Sequence, residues 1–138
     1  MNAIETIVQL APPDAEAAAR AALADQGFGV LTEIDVAAVF HTKLGVERPF
    51  LKILGACNPS FAQRALEIDP SVSLLLPCNV VVEDVGDGTK ISAVDPLALM
   101  DDPAFTELGT EVSTRLCHAI DAVNDASQGR SASIGGED

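Results

Sequence analysis

The chain contains no tryptophan and no tyrosine, and only 5 phenylalanines in 138 residues. Stacking of unpaired bases needs aromatic platforms, so that mode of single-strand binding has little to work with. Basic side chains are scarce too: 8 Lys and Arg stand against 21 Asp and Glu, a formal charge of −13. Phosphates would be repelled and no basic patch exists to release counterions, so nucleic acid is not expected as a partner. The acidity itself reads as a solvated surface. No apolar run approaches the roughly 18–20 residues of a membrane span, so no membrane association is expected. The start, MNAIETIVQLAPPD, has neither a basic flank nor a long apolar core and does not read as a secretory signal. Three cysteines are an odd number, with no CxxC and no zinc-type Cys/His spacing. They exclude a disulfide framework and a closed tetrahedral zinc site, and a reducing cytoplasm is the expected setting.

What is present is a regular alternation of patterns. Residues 3–10 alternate as a strand does, and Pro12-Pro13 opens an alanine-rich helix that Gly27 stops. A second strand is predicted over 28–35. Asp35 then caps a short helix over 36–44, with Val36, Val39, Phe40 and Leu44 on one face and Gly45 at its end. A third strand over 50–56 leads to Asn58 and Pro59, which fit the cap and first position of a helix that Asp69-Pro70 closes. The stretch SVSLLLPCNVVVEDV, 71–85, reads as one long strand region, and Pro77 within it requires an edge position or a bulge. Asp87-Gly88 signals a hairpin into a strand over 90–99, whose pairing Pro96 ends. The last helix, from about Pro103 to Val123, starts at Asp102. It carries a stripe of Phe105, Leu108, Val112, Leu116, Ala119, Ile120 and Val123. The order β-α-β-α-β-α-β-β-α points to an α+β fold, a two-layer α/β sandwich on a mixed sheet of about five strands. Residues 1–126 read as one domain, and 127–138 as a flexible polar tail.

Two cysteines sit in related frames, LGACNP around Cys57 and LLPCNV around Cys78. If the strands before them are parallel neighbours joined by a right-handed crossover, both sulfurs reach the carboxyl end of the sheet, where open α/β sheets often keep ligands. Cys57 also precedes a helix N-terminus, whose partial positive charge favours a thiolate. Asn58 and Asn79 could place amides beside the sulfurs. Such a site permits thiolate attack, disulfide exchange, soft-metal coordination by Cys57 and Cys78, or capture of a small anion. Beside each reading stands a purely structural one, since unpaired cysteines often act as small apolar side chains. Cys117 reads as packing, and His41 and His118 as surface histidines. Glu33, Asp35 and Lys43 form a second cluster. Arg48 could clamp an acid group.

The strings VLTEIDV, KLGV, RPF-LKILGACNP, RAL, LLLPCNVVV and VDP, spread over residues 28–96, resemble the domain of unknown function 302 family. That resemblance implies a compact α+β domain, often a stand-alone protein and expected as a dimer, without an assigned activity. It carries Glu33, Asp35, Lys43, Cys57, Asn58, Pro59, Cys78 and Asn79 forward as matching positions. Where the family usually has Tyr after Arg-Pro, this chain has Phe50, so the phenolic hydroxyl is missing. Three functions are compatible with these residues. One is a module that binds a small anionic or thiol ligand or a soft metal at Cys57, Asn58, Cys78 and Asn79, with Glu33, Asp35 and Arg48 as further ligand-binding candidates. The second is a thiol-dependent enzyme with Cys57 as nucleophile, Cys78 as resolving thiol and Lys43 or Arg48 as charge partner. The third is a homodimeric interaction protein that uses the apolar 74–82 strand as an edge seam. The sequence names no cofactor.

Overall fold

The structure is a computed structural model that describes residues 2–134, the side chains of 129–134 excepted. Five strands are formed: β1 (Ala3–Val8), β2 (Gly29–Asp35), β3 (Leu51–Cys57), β4 (Cys78–Asp84) and β5 (Thr89–Val94). The helices are α1 (Pro12–Asp25), α2 (Val36–Leu44), α3 (Pro59–Ile68), the single turn α4 (Pro96–Leu99) and the long α5 (Thr106–Ile134). Short 3-10 segments span Pro70–Leu75 and Pro103–Phe105. The strands form one sheet in the order β1-β5-β4-β3-β2.

Local chemistry sets most of these bounds. The Asp35 carboxylate accepts from the Ala38 N–H at 3.0 Å and starts α2, and Gly45 ends it with φ of 66°. In α1, Ala15, Ala19, Ala22 and Leu23 recur on one helical face and are buried. Their small size lets α1 lie close on the sheet. The stripe anticipated on the last helix is buried in full: Leu108, Val112, Leu116, Ala119, Ile120 and Val123 on α5, with Phe105 just before it. Facing these helices from the sheet are Val8, Leu54, Ala56, Val80, Val82, Ile91 and Ala93, at alternate strand positions. The core therefore lies between one sheet face and α1 plus α5, with α3 closing one end, and the α+β two-layer sandwich holds.

The strand predicted over 90–99 stops at Val94, because the Asp95 carboxylate accepts from the Leu97 N–H at 3.0 Å and starts α4. Three further expectations give way. The sheet is antiparallel throughout rather than mixed. After β3 the chain makes α3 and the 3-10 segment and re-enters at the end where β3 finished, so Ala56 pairs with Cys78 and β4 runs back. The α3 segment is an end cap, not a crossover. Secondly, 71–76 is not strand. The Asp69 carboxylate accepts from the Ser71 N–H at 3.0 Å and starts the 3-10 segment, which buries Val72 and leaves Leu74 87% exposed. Pro77 precedes the ladder, after a cis Leu76–Pro77 bond, and so needs no edge position. β4 lies inside the sheet between β5 and β3, which removes the edge seam that a dimer through residues 74–82 required. Thirdly, α5 runs on to Ile134 where a polar tail was expected. Ser127 continues its stripe at 8% exposure, because small side chains fit a helix face against the body as well as they fit a loop. Residues 135–138 lie outside the described chain. No helix among the described residues is long and apolar enough to cross a membrane.

Candidate functional site

Cys57 is the last residue of β3 and Cys78 the first of β4. Antiparallel pairing places Ala56 opposite Cys78, so the cysteines are diagonal neighbours with Cα atoms about 6 Å apart. Both residues thus stand at one end of the sheet, but not through the expected parallel strands: one strand arrives there and the other departs. Both cysteines are free and half-buried, and both line one crevice. Its floor is Ala56, Phe28 and Phe61 and its far wall Leu76, Pro96 and Met100, with Leu108 and Val112 of α5 behind. The Phe28 and Phe61 rings meet at 6.5 Å with a 56° tilt. The hollow spans about 420 Å³ with the solvent before it, but the part a water molecule's centre can reach is only about 40 Å³. That holds a single ion or a few waters and is far below the several hundred Å³ of an ordinary small-molecule pocket.

Burial pushes the Cys78 thiol above its ordinary range, and the charge of a Cys57 thiolate pushes it the same way. Asn58 follows Cys57 and caps α3, its Oδ1 accepting from the Phe61 N–H at 3.4 Å. Its Nδ2 donates to the Gln26 carbonyl at 3.3 Å. Both ends of the amide are engaged in holding α3 to the α1–β2 turn. Gly27 is part of that joint: its φ is 86°, and a Cβ there would lie 2.8 Å from Asn58 Nδ2. The helix start leaves free backbone N–H groups beside Cys57, with Pro59 supplying none.

The other candidates stand elsewhere. Asn79 points to the opposite sheet face, where with Val81, Ser92 and Val94 it lines a shallow groove. Glu33 belongs to an ion cluster on the helix-covered side of β2 and β3. Lys52 Nζ stands 3.0 Å from Glu16 Oε1 and 3.4 Å from Glu33 Oε2. Arg20 donates from Nη2 to Glu33 at 2.6 Å and from Nε to Glu16 at 2.9 Å. Bonding to Lys52 holds the Glu33 carboxyl below its usual range, and bonding to Glu16 raises the Lys52 ammonium. Asp35 caps α2, and Lys43 on that helix's last turn shares an open groove with Glu33 and Asp35. Arg48 donates to the Pro49 carbonyl at 2.9 Å and lies 3.6 Å from Glu83. Neither cation lines the cysteine crevice. His41 pairs with Glu47 on the surface, His118 is exposed, and Cys117 is half-buried on α5. Sequence reasoning missed Phe28, Phe61, Leu76, Pro96 and Met100 as crevice walls. Only tertiary packing brings them there, and nothing in their spacing marks them. The Glu16–Arg20 pair, four residues apart on α1, was a visible signal for the ion cluster.

A small open-faced α+β sandwich with two cysteines meeting at one rim is the class these observations define. The family described as "Domain of unknown function DUF302" matches residues 4–123, and the chain belongs to it. The crystal structure of an uncharacterized conserved DUF302 protein from Bacillus stearothermophilus is 29% identical. It aligns over 89% of this chain and 98% of that one, with a TM-score of 0.82. No curated protein matches.

Proposed function

We propose that the crevice binds a single soft, monovalent metal ion, copper(I) in character, between the Cys57 and Cys78 sulfurs. The observation that carries this reading is the size of the crevice, which two free cysteines on diagonally neighbouring residues both line. About 40 Å³ of reachable space admits an ion and excludes a metabolite of ordinary size. Two thiolates satisfy a d¹⁰ monovalent ion, which tolerates low coordination and prefers sulfur. The Met100 thioether lines the same walls and offers a third soft donor. Harder ions are disfavoured. Among the described residues no cluster of three or more His, Cys, Asp and Glu side chains could hold one. Binding displaces a proton from each thiol, so two protons leave as two metal–sulfur bonds form and affinity rises with pH. The free N–H groups at the start of α3 offset part of the negative charge of the bis-thiolate complex.

A thiol-enzyme reading finds less support. The crevice walls carry no carboxylate, imidazole or amine that could act as a base or charge partner to Cys57. The test is anaerobic titration of the reduced protein with copper(I) against a competing chromophoric chelator. One equivalent is expected to bind. Cys57→Ser and Cys78→Ser should each weaken it at least 100-fold, while Cys117→Ser leaves it intact. Equal binding in all three variants, or none in the parent, would retire the reading.

A further inference from the structure

Three segments far apart in sequence meet beside the floor of the cysteine crevice, and one backbone carbonyl joins them. The Gln26 carbonyl, at the end of α1, accepts from Asn58 Nδ2 at 3.3 Å and from Arg115 Nη1 at 3.4 Å. A carbonyl oxygen has two lone pairs, so both bonds can form at once. Asn58 starts α3, and Arg115 lies on α5. We propose that Arg115 and Asn58 are positioning residues, a strap that holds the floor of the crevice closed and so limits what can reach its two cysteines. The proposal rests on the crevice being the site, and names what fixes its size.

The strap acts on the two rings of the floor. Phe28 follows Gln26 by two residues, and the turn between them is pinned. The Gly27 and Phe28 N–H groups donate to the Ala24 and Leu23 carbonyls at 3.0 and 2.9 Å. Phe28 therefore moves with the Gln26 carbonyl. Phe61 moves with Asn58, whose Oδ1 accepts from its N–H at 3.4 Å. Holding Asn58 to Gln26 thus holds the rings at their 6.5 Å separation. The fit is close, since a Cβ at Gly27 would come 2.8 Å from Asn58 Nδ2.

Arg115 adds the third element. Its Cζ stands 5.9 Å from the centre of the Phe61 ring, within cation–π range, while its Nη1 reaches the turn. One guanidinium thus engages both halves of the floor. It makes no salt bridge among the described residues, so its place is set by the carbonyl and the ring. Arg64, 5.7 Å from the same ring, is held by Glu111 of α5 at 2.8 Å and ties α3 to α5 independently. Without the strap the α1–β2 turn can part from α3. The rings then separate, and the reachable space grows beyond about 40 Å³. An exposed arginine on α5 thereby sets which reagents reach thiols on β3 and β4.

The experiment measures access to each thiol in the full reduced chain, without metal. Alkylation by iodoacetamide and by the bulky fluorescein-5-maleimide is followed at each cysteine by mass spectrometry, and each rate is divided by that of free cysteine. Two variants cut the strap: Arg115→Met, and Asn58→Ser, whose hydroxyl caps α3 but is too short to reach Gln26. Each should raise the bulky-to-small ratio at Cys57 and Cys78 on the order of fivefold, as loss of one hydrogen bond shifts a local opening equilibrium. Arg115→Lys restores a donor and a cation and should stay near the parent ratio. Cys117, on α5 but outside the crevice lining, is the internal control and should not change. Should Asn58→Ser not fold, Arg115→Met, at an exposed position, carries the test. Parent ratios at both crevice thiols in folded Arg115→Met overturn the proposal. So does an equal rise at Cys117, which marks loosening of the whole molecule. No metal enters the measurement, so a failed copper(I) titration retires the metal reading and leaves this result standing.

Discussion

Cys78 is a residue whose surroundings change its acid–base chemistry. Burial and the Cys57 charge both disfavour its thiolate, so Cys57 should be the faster of the two to react with iodoacetamide near neutrality. Replacing Cys57 by Ser removes one of the two causes and should lower the pH at which Cys78 becomes reactive. Rate against pH, followed by mass spectrometry, checks this, and an unmoved profile would show that the sulfurs do not interact. The same shift has a consequence for stability. The folded state holds the Cys78 proton more tightly than the unfolded one, so this contribution is complete below the ordinary value of 9.0. It is lost as pH rises through the folded value. Asn58 shows how far a residue can be read from sequence. Its cap role was legible from the Asn-Pro pair, while its second bond, to the Gln26 carbonyl, joins residues 32 apart and left no local trace.

Among the elements, β3 has one position that admits no side chain. Gly55 faces the uncovered side of the sheet, where a Cβ would fall on the Thr32 hydroxyl and lie 2.8 Å from Pro77 Cγ. Gly55→Val should therefore cost about 1–3 kcal/mol by overpacking, read as a shift in the urea midpoint. A neutral effect would mean that Pro77 and β2 yield easily, and that the β3–β4 rim is soft. Helices α2 and α3 were legible almost to the residue, because caps and prolines act within one turn of chain. The 71–76 stretch was not. A short apolar run satisfies strand and turn equally, and the Asp69 cap with Pro70 decided for the turn.

At the scale of the whole molecule, the Glu16–Lys52–Glu33–Arg20 cluster ties α1, β2 and β3 together, and it links stability to pH. Lys52 is 15% exposed between two carboxylates, and Lys52→Met should cost about 1 kcal/mol at neutral pH. Glu33 is held below its ordinary 4.5, so its share of stability is present above that value and fades as pH falls through the lower folded one. The difference between the parent and Glu33→Gln should accordingly shrink in acid, as followed by thermal unfolding from pH 7 to pH 3. A constant difference would assign the effect to packing instead. The cluster also accounts for why Glu33 reads as a site residue in the sequence: it carries a perturbed charge, but its partners are structural.

The sequence by itself determined helices α1, α2 and α3, the caps of α2 and α3, the buried stripe of α5 and the family motifs. All of these rest on interactions within a few residues or on patterns of fixed period. Tertiary structure alone decided that β4 runs antiparallel to β3, that one sheet face is left uncovered, and that Phe28, Phe61 and Met100 wall the cysteine rim. Strand direction depends on where a connection returns in space, and a wall depends on which distant side chains the core excludes from water. Neither leaves a periodic mark in the chain.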